Sequence, residues 1–308
     1  MAYRRSSVRR TSRRTRRSYG RTASRPRRTY SRKTYGRTKR RSYPRMTVRR
    51  ILNKTSQKKS DTMMTWTNMR PDSSPGNTDF TPGPAELNGN PGTWSTMVFC
   101  PTARVSEDQQ GVLGSKANTS MRTSATVFAR GYRENLTLST ISGRGWQWRR
   151  ICISMKGDTL NMGDNDPSTS PVFRETSQGY MRLITHGPAA RVNDVLFKGT
   201  QNTDWQDVMT APLDTRRIKV HSDKLYHIRS GNADGVTRHY KLWYPMNKNI
   251  YFFKQKTAYE MQPSPFSVEN NYGLGDYYII DFFKSNRGNT DTDVLSIDAT
   301  GRFYWHEK

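Results

Sequence analysis

Residues 9–21 are RRTSRRTRRSYGR, seven arginines in thirteen positions with no carboxylate. The planar fork of arginine pairs two phosphate oxygens at once and stacks on bases. Such a run suits polyanion binding. The pattern continues to residue 45, and the candidate phosphate-binding residues are Arg4, Arg5, Arg9, Arg10, Arg13, Arg14, Arg16, Arg17, Arg21, Arg25, Arg27, Arg28, Arg32, Lys33, Arg37, Lys39, Arg40, Arg41 and Arg45. Each cation set against a phosphate releases a condensed counterion, which drives sequence-independent binding. Tyr3, Tyr19, Tyr30, Tyr35 and Tyr43 are spread among them. Their rings could stack on bases, which single strands offer and duplexes hide. Two dense clusters also suit the acidic grooves of nuclear import receptors. These are Arg9, Arg10, Arg13, Arg14, Arg16 and Arg17, and then Lys39, Arg40 and Arg41.

Motifs for other chemistry are weak. GVLGSK (111–116) has the wrong glycine spacing for a phosphate loop, and Ala117 follows the lysine. GLG (273–275) precedes a strand-like run and predicts a tight turn, not a dinucleotide site. His186, His221, His227, His239 and His306 show no zinc-ligand spacing, and Cys100 and Cys152 form no disulfide framework. The expectation is a protein with no catalytic residues, metal or cofactor.

These cations sit on a particular architecture. Of the 52 basic residues, 24 fall in residues 1–60, which hold no acidic residue before Asp61. The remaining 248 residues carry 28 basic and 25 acidic side chains. The chain is therefore a near-neutral body with a polycationic arm. The arm has almost nothing large to bury, and its like charges repel, so disorder is expected over residues 1–45. A transition segment (46–60) and one folded domain (61–308) would follow.

The body predicts an all-β fold. Short apolar runs rich in β-branched and aromatic residues recur between Gly, Pro, Asn and Asp clusters. They include TMVFC (96–100), ATVFARG (125–131), ENLTLST (134–140), WQWRRICISM (146–155), YMRLITH (180–186), DVLFKG (194–199) and DYYIIDFF (276–283). Residues 218–244, with SGNADG in the middle, predict a β-hairpin. From Tyr277 to Phe283 only Asp281 is polar, so this strand should be covered on both faces and Asp281 should have a partner. In WQWRRICISM the apolar side switches, which predicts a bulge or two buried faces. About a dozen short strands point to an antiparallel jelly-roll sandwich.

Several segments carry a more specific likeness. MAYRRSSVRRTSRRTRR at the start, RRILNKTSQKKSDTM (49–63), WQWRRICIS (146–154), KLWYPMNKNIYF (241–252), GDYYIIDFF (275–283) and FYWHEK (303–308) resemble capsid proteins of genomoviruses, the gemycircularvirus-like group. Residues 156–216 match nothing in that pattern. The resemblance implies a jelly-roll coat protein that assembles with itself around circular single-stranded DNA, within the host nucleus. The smallest closed icosahedral shell has about sixty equivalent positions. A host-cell receptor is implied without being specified. A doubly apolar strand in a single sandwich also suggests subunit contacts, at Tyr278 or at Trp243 in LWYPM (242–246). A non-viral nucleic-acid-compacting or ribonucleoprotein structural protein would explain the arm equally well, but not the large near-neutral body.

Overall fold

The computed structural model describes residues 46–70, 78–106, 114–115, 117–157, 159–161, 171–177, 179–252, 264–269 and 272–308. The arm to Arg45, and four of the six residues of GVLGSK, lie outside them. The chain divides into two units, Met1–Met46 and Thr47–Lys308. The second opens with helix α1 (Val48–Thr55) and continues through β1 (Gln57–Met63), β2 (Thr65–Thr67), β3 (Thr81–Pro82), β4 (Ala85–Asn88) and β5 (Trp94–Phe99). Next come β6 (Thr126–Thr140), β7 (Trp146–Met155), β8 (Arg174–Thr176), β9 (Gly179–Ile184) and helix α2 (Ala189–Leu196). The last four strands are β10 (Lys219–Ile228), β11 (Thr237–Tyr251), β12 (Asp276–Ser285) and β13 (Val294–Glu307).

Two sheets form the sandwich. One has the order β1-β13-β6-β11, with β4 also paired to β13, and the other has β10-β7-β12-β5. Counted along the chain, the eight strands of these two paths pair first with eighth, second with seventh, third with sixth and fourth with fifth, all antiparallel. A single long hairpin rolled up on itself produces this order, which is that of a jelly roll. A smaller sheet, β3-β2-β9-β8, joins β2 to β9 in parallel.

The strands are longer than their apolar runs. ATVFARG and ENLTLST fall on one strand, β6, carried across Gly131 by a register shift. Residues 218–244 do not form a hairpin: β10 pairs with β7 and β11 with β6, in different sheets. The turn formers of SGNADG instead carry the chain from one sheet to the other. DVLFKG is not a strand. Its first half ends α2, whose buried Val192, Val195 and Leu196 lie at helical spacing. GLG does form tight backbone before β12, with φ of 84° at Gly273 and 82° at Gly275.

Strands β7 and β12 are buried on both faces. Trp148 and Cys152, with Tyr277, Ile279 and Phe283, face the first sheet and meet Tyr132, Leu136, Phe303 and Trp305. Ile151, Ile153, Tyr278, Ile280 and Phe282 point the other way. There they pack under Leu160, Val172, α2, Phe197, Trp205 and Val208. Described parts of the 156–216 region, with α2 among them, thus supply a third layer over the second sheet. This corrects the expectation for Tyr278, whose side chain is 0 % exposed within its own subunit. Its own chain fills the place reserved for a neighbour.

Candidate nucleic-acid and assembly interface

The folded body begins before the charge break. β1 starts at Gln57, and its alternation sends Lys58 outward and Lys59 inward. The Lys59 Nζ donates to Met121 O at 2.9 Å and Thr123 Oγ1 at 3.1 Å, and pairs with Glu307 at 3.3 Å. One charge of the basic segment is therefore committed inside the fold. Asp61, the first carboxylate, accepts from Arg104 Nη1 at 2.6 Å.

α1 precedes this strand. Thr47 Oγ1 caps it by accepting from the Arg50 amide at 3.4 Å. Val48, Ile51 and Leu52 form an exposed apolar stripe, while Arg49, Arg50 and Lys54 fall on the other side.

A charged clasp joins the sheets. Glu134 on β6 accepts from Arg150 on β7, and from Arg182 Nε on β9 at 2.6 Å. Arg150 also grips Asp281 on β12 with two bonds, at 2.6 and 2.7 Å, and Trp148 Nε1 donates to Asp281 at 2.8 Å. This is the partner that a buried Asp281 required. All four charged groups are buried, and the two carboxylates balance the two guanidiniums. Burial pushes the Glu134 carboxyl up, but Arg150 and Arg182 outweigh it and hold it down at about 2.

The two cysteines are buried free thiols, and burial pushes the Cys152 thiol up to about 12. His221 and His227 both lie on β10, and the His221 ring meets Ser154 Oγ at 2.9 Å. Among the described residues, no three His, Cys, Asp or Glu stand close enough together to hold a metal ion.

The outer face of the β1-β13-β6-β11 sheet is different in kind. Register sets its side chains in cross-strand rows. One row is Thr62–Arg302–Arg133–Trp243, and beyond the Ser60–Tyr304 row lies Lys58–His306–Phe128–Asn249. A row of Thr300, Asn135 and Lys241 lies on the other side of the first. The register shift at Gly131 puts Arg130 on this face beside Arg133, both exposed. Trp243 is 46 % exposed, and its indole lies across Gly131, where an added Cβ would come within 2.7 Å of the ring. Tyr304 meets the indole edge-on at 5.9 Å between ring centres. Sequence reasoning singled out Trp243, but not Arg130, Arg133, Arg302 or Tyr304. The alternation of each strand could have shown that they point outward, but not that they share one patch.

No family model matches this chain, and no curated protein matches it in sequence. Among solved structures it is similar to VP1 of Trichodysplasia spinulosa-associated polyomavirus, at 9 % identity and a TM-score of 0.14, covering 80 % of this chain and 94 % of that one. VP1 of the same virus in complex with 3'-sialyllactose gives 10 % identity and a TM-score of 0.13, covering 81 % and 94 %. Scores this low carry no weight, and the jelly-roll assignment rests on the strand order itself.

Proposed function

We propose that this protein is a viral coat protein of the genomovirus kind, which assembles with itself into a small icosahedral shell and packages circular single-stranded DNA. One observation carries the reading: a rolled eight-strand sandwich is joined to a segment of 45 residues that holds 19 cations and no carboxylate. A sandwich with little net charge can approach copies of itself without strong repulsion, while the arm supplies the counterions for a nucleic acid. About sixty copies would bring roughly 1,100 arm charges together, enough for a strand of about a thousand nucleotides or more. The same basic clusters, at 9–17 and 39–45, would engage host import receptors and deliver the subunit to the nucleus for assembly into the virion.

Negative-stain microscopy of the purified chain, with its absorbance ratio for carried nucleic acid, tests this reading. Closed particles containing nucleic acid are expected. A monodisperse monomer that compacts DNA without forming shells would favour a non-viral structural protein, and nuclease or ATPase turnover would favour an enzyme. Deleting residues 1–45 should nearly abolish binding of single-stranded DNA and leave the sandwich folded. If half of the 19 arm cations engage phosphates, log K should fall with log salt at a slope of about −7. A reporter fused to residues 1–45 should enter the nucleus.

A further inference from the structure

We propose that the bare outer face of the β1-β13-β6-β11 sheet is a second nucleic-acid site, on which bases of a single strand stack against Trp243 and Tyr304 while Arg133 and Arg302 hold the flanking phosphates. The proposal rests on the packaging reading for its ligand, but not on the arm.

Charge is the first argument. Lys58, Arg130, Arg133, Lys241 and Arg302 are all exposed on this face. From Thr300 to His306 and across the paired residues of β1, β6 and β11, no outward side chain is acidic. Among the described residues none of the five cations has a carboxylate partner. Arg302 and Arg133 stand directly opposite one another in register. Like charges placed so are destabilising, and an anion set between them reverses the sign. Inside the fold, Arg104, Arg149, Arg150 and Arg182 all grip carboxylates. Those four arginines are buried, whereas the five cations of this face stand exposed.

Aromatic geometry is the second. The indole of Trp243 lies against Gly131 and remains 46 % exposed, with Tyr304 in a T-shaped contact beside it. The Arg302 guanidinium sits 5.3 Å from the centre of the Tyr304 ring and is tethered to Ser60 Oγ at 2.9 Å. Phe128 and His306 form a second ring pair, 6.0 Å apart, beside Lys58 and Arg130. Rings interleaved with cations on an uncovered sheet are the elements of a single-strand platform, and a duplex would hide the base faces they need. A second copy of the chain is the less favoured occupant, because burying five unpaired cations against a protein would require an acidic patch. The expectation that Trp243 touches a neighbouring subunit gives way to this reading.

Ultraviolet crosslinking of the full chain to a thymidine oligomer, followed by peptide mapping, provides the test. Adducts are expected on the peptides that carry Trp243 or Tyr304, as well as on the arm. In R133E/R302E the sandwich adducts should fall at least fivefold while the arm adducts persist, with an unchanged unfolding temperature as the control. In R133A/R302A the salt slope should become shallower by about 1.4, at about 0.7 for each phosphate released. Adducts confined to residues 1–45 would overturn this site and leave the arm's role standing. Their absence from both regions would overturn both. Protection of Trp243 from oxidation in shells formed without nucleic acid would assign the face to a second copy, which also overturns the proposal.

Discussion

The two outer faces of the sandwich had the same geometric opportunity and met different fates. On the β10-β7-β12-β5 sheet the outward residues include Ile151, Ile153, Tyr278, Ile280 and Phe282, and Leu160, Val172, α2, Phe197, Trp205 and Val208 are folded over them as a third layer. On the β1-β13-β6-β11 sheet the outward residues are mostly Ser, Thr, Asn, cations and a few rings, with Asp298 at one end, and the described residues leave them bare. The contrast shows what recruits a cover. Apolar area removed from water contributes about 25 cal/mol per Å², enough to order a long segment over an apolar sheet. A cationic face offers no such return, because its charges would be desolvated without partners.

The largest expected effect comes from breaking the covered face. Tyr278→Asp places a charge where the chain itself excludes water and should leave insoluble or unfolded protein. Trp243→Asp, on the bare face, should stay soluble with a stability change within about 0.5 kcal/mol. Thermal unfolding of the pair checks this. Equal destabilisation would mean that the two faces are not distinct.

Next in size is the clasp between the sheets. Glu134→Ala leaves Arg150 and Arg182 short of a carboxylate in the core and should cost about 3–5 kcal/mol in denaturant unfolding. Its pH dependence has a definite sign. The folded carboxyl lies at about 2, below its ordinary 4.5, so its stabilisation is complete above about pH 4.5 and is lost as pH falls towards 2. Intact protein should therefore lose stability across that window, and the Glu134→Ala variant should lose less. An identical acid profile in both would remove Glu134 from the account.

The smallest effect belongs to the bare face. Arg133→Ser relieves the repulsion from Arg302 and should raise the stability of the free subunit by a few tenths of a kcal/mol at low salt, with the gain vanishing at high salt. A loss of stability at low salt would mean that Arg133 holds the sheet together instead of awaiting an anion.

Much of this organisation was legible before any coordinates. The composition break at Asp61 predicts an arm and a body; residues 1–45 lie outside the described residues, and the body starts somewhat before the break. The unbroken apolar run of β12, interrupted only by Asp281, announced two covered faces and a buried partner, and both are present. Such signals are local. Side chains alternate along a strand, so each residue type reports the face on which it lies.

What covers a face, and which strand lies beside which, was not local. The hairpin expected at 218–244 failed because adjacent strands in sequence belong to opposite sheets of a rolled fold. DVLFKG looked like a strand because a short apolar run fits either period, and only its packing against the outer sheet made its first half the end of a helix. The row that joins Arg302, Arg133 and Trp243 draws on three strands distant in sequence. Alternation made each of the three point outward, and the hydrogen-bonded register between strands placed them side by side.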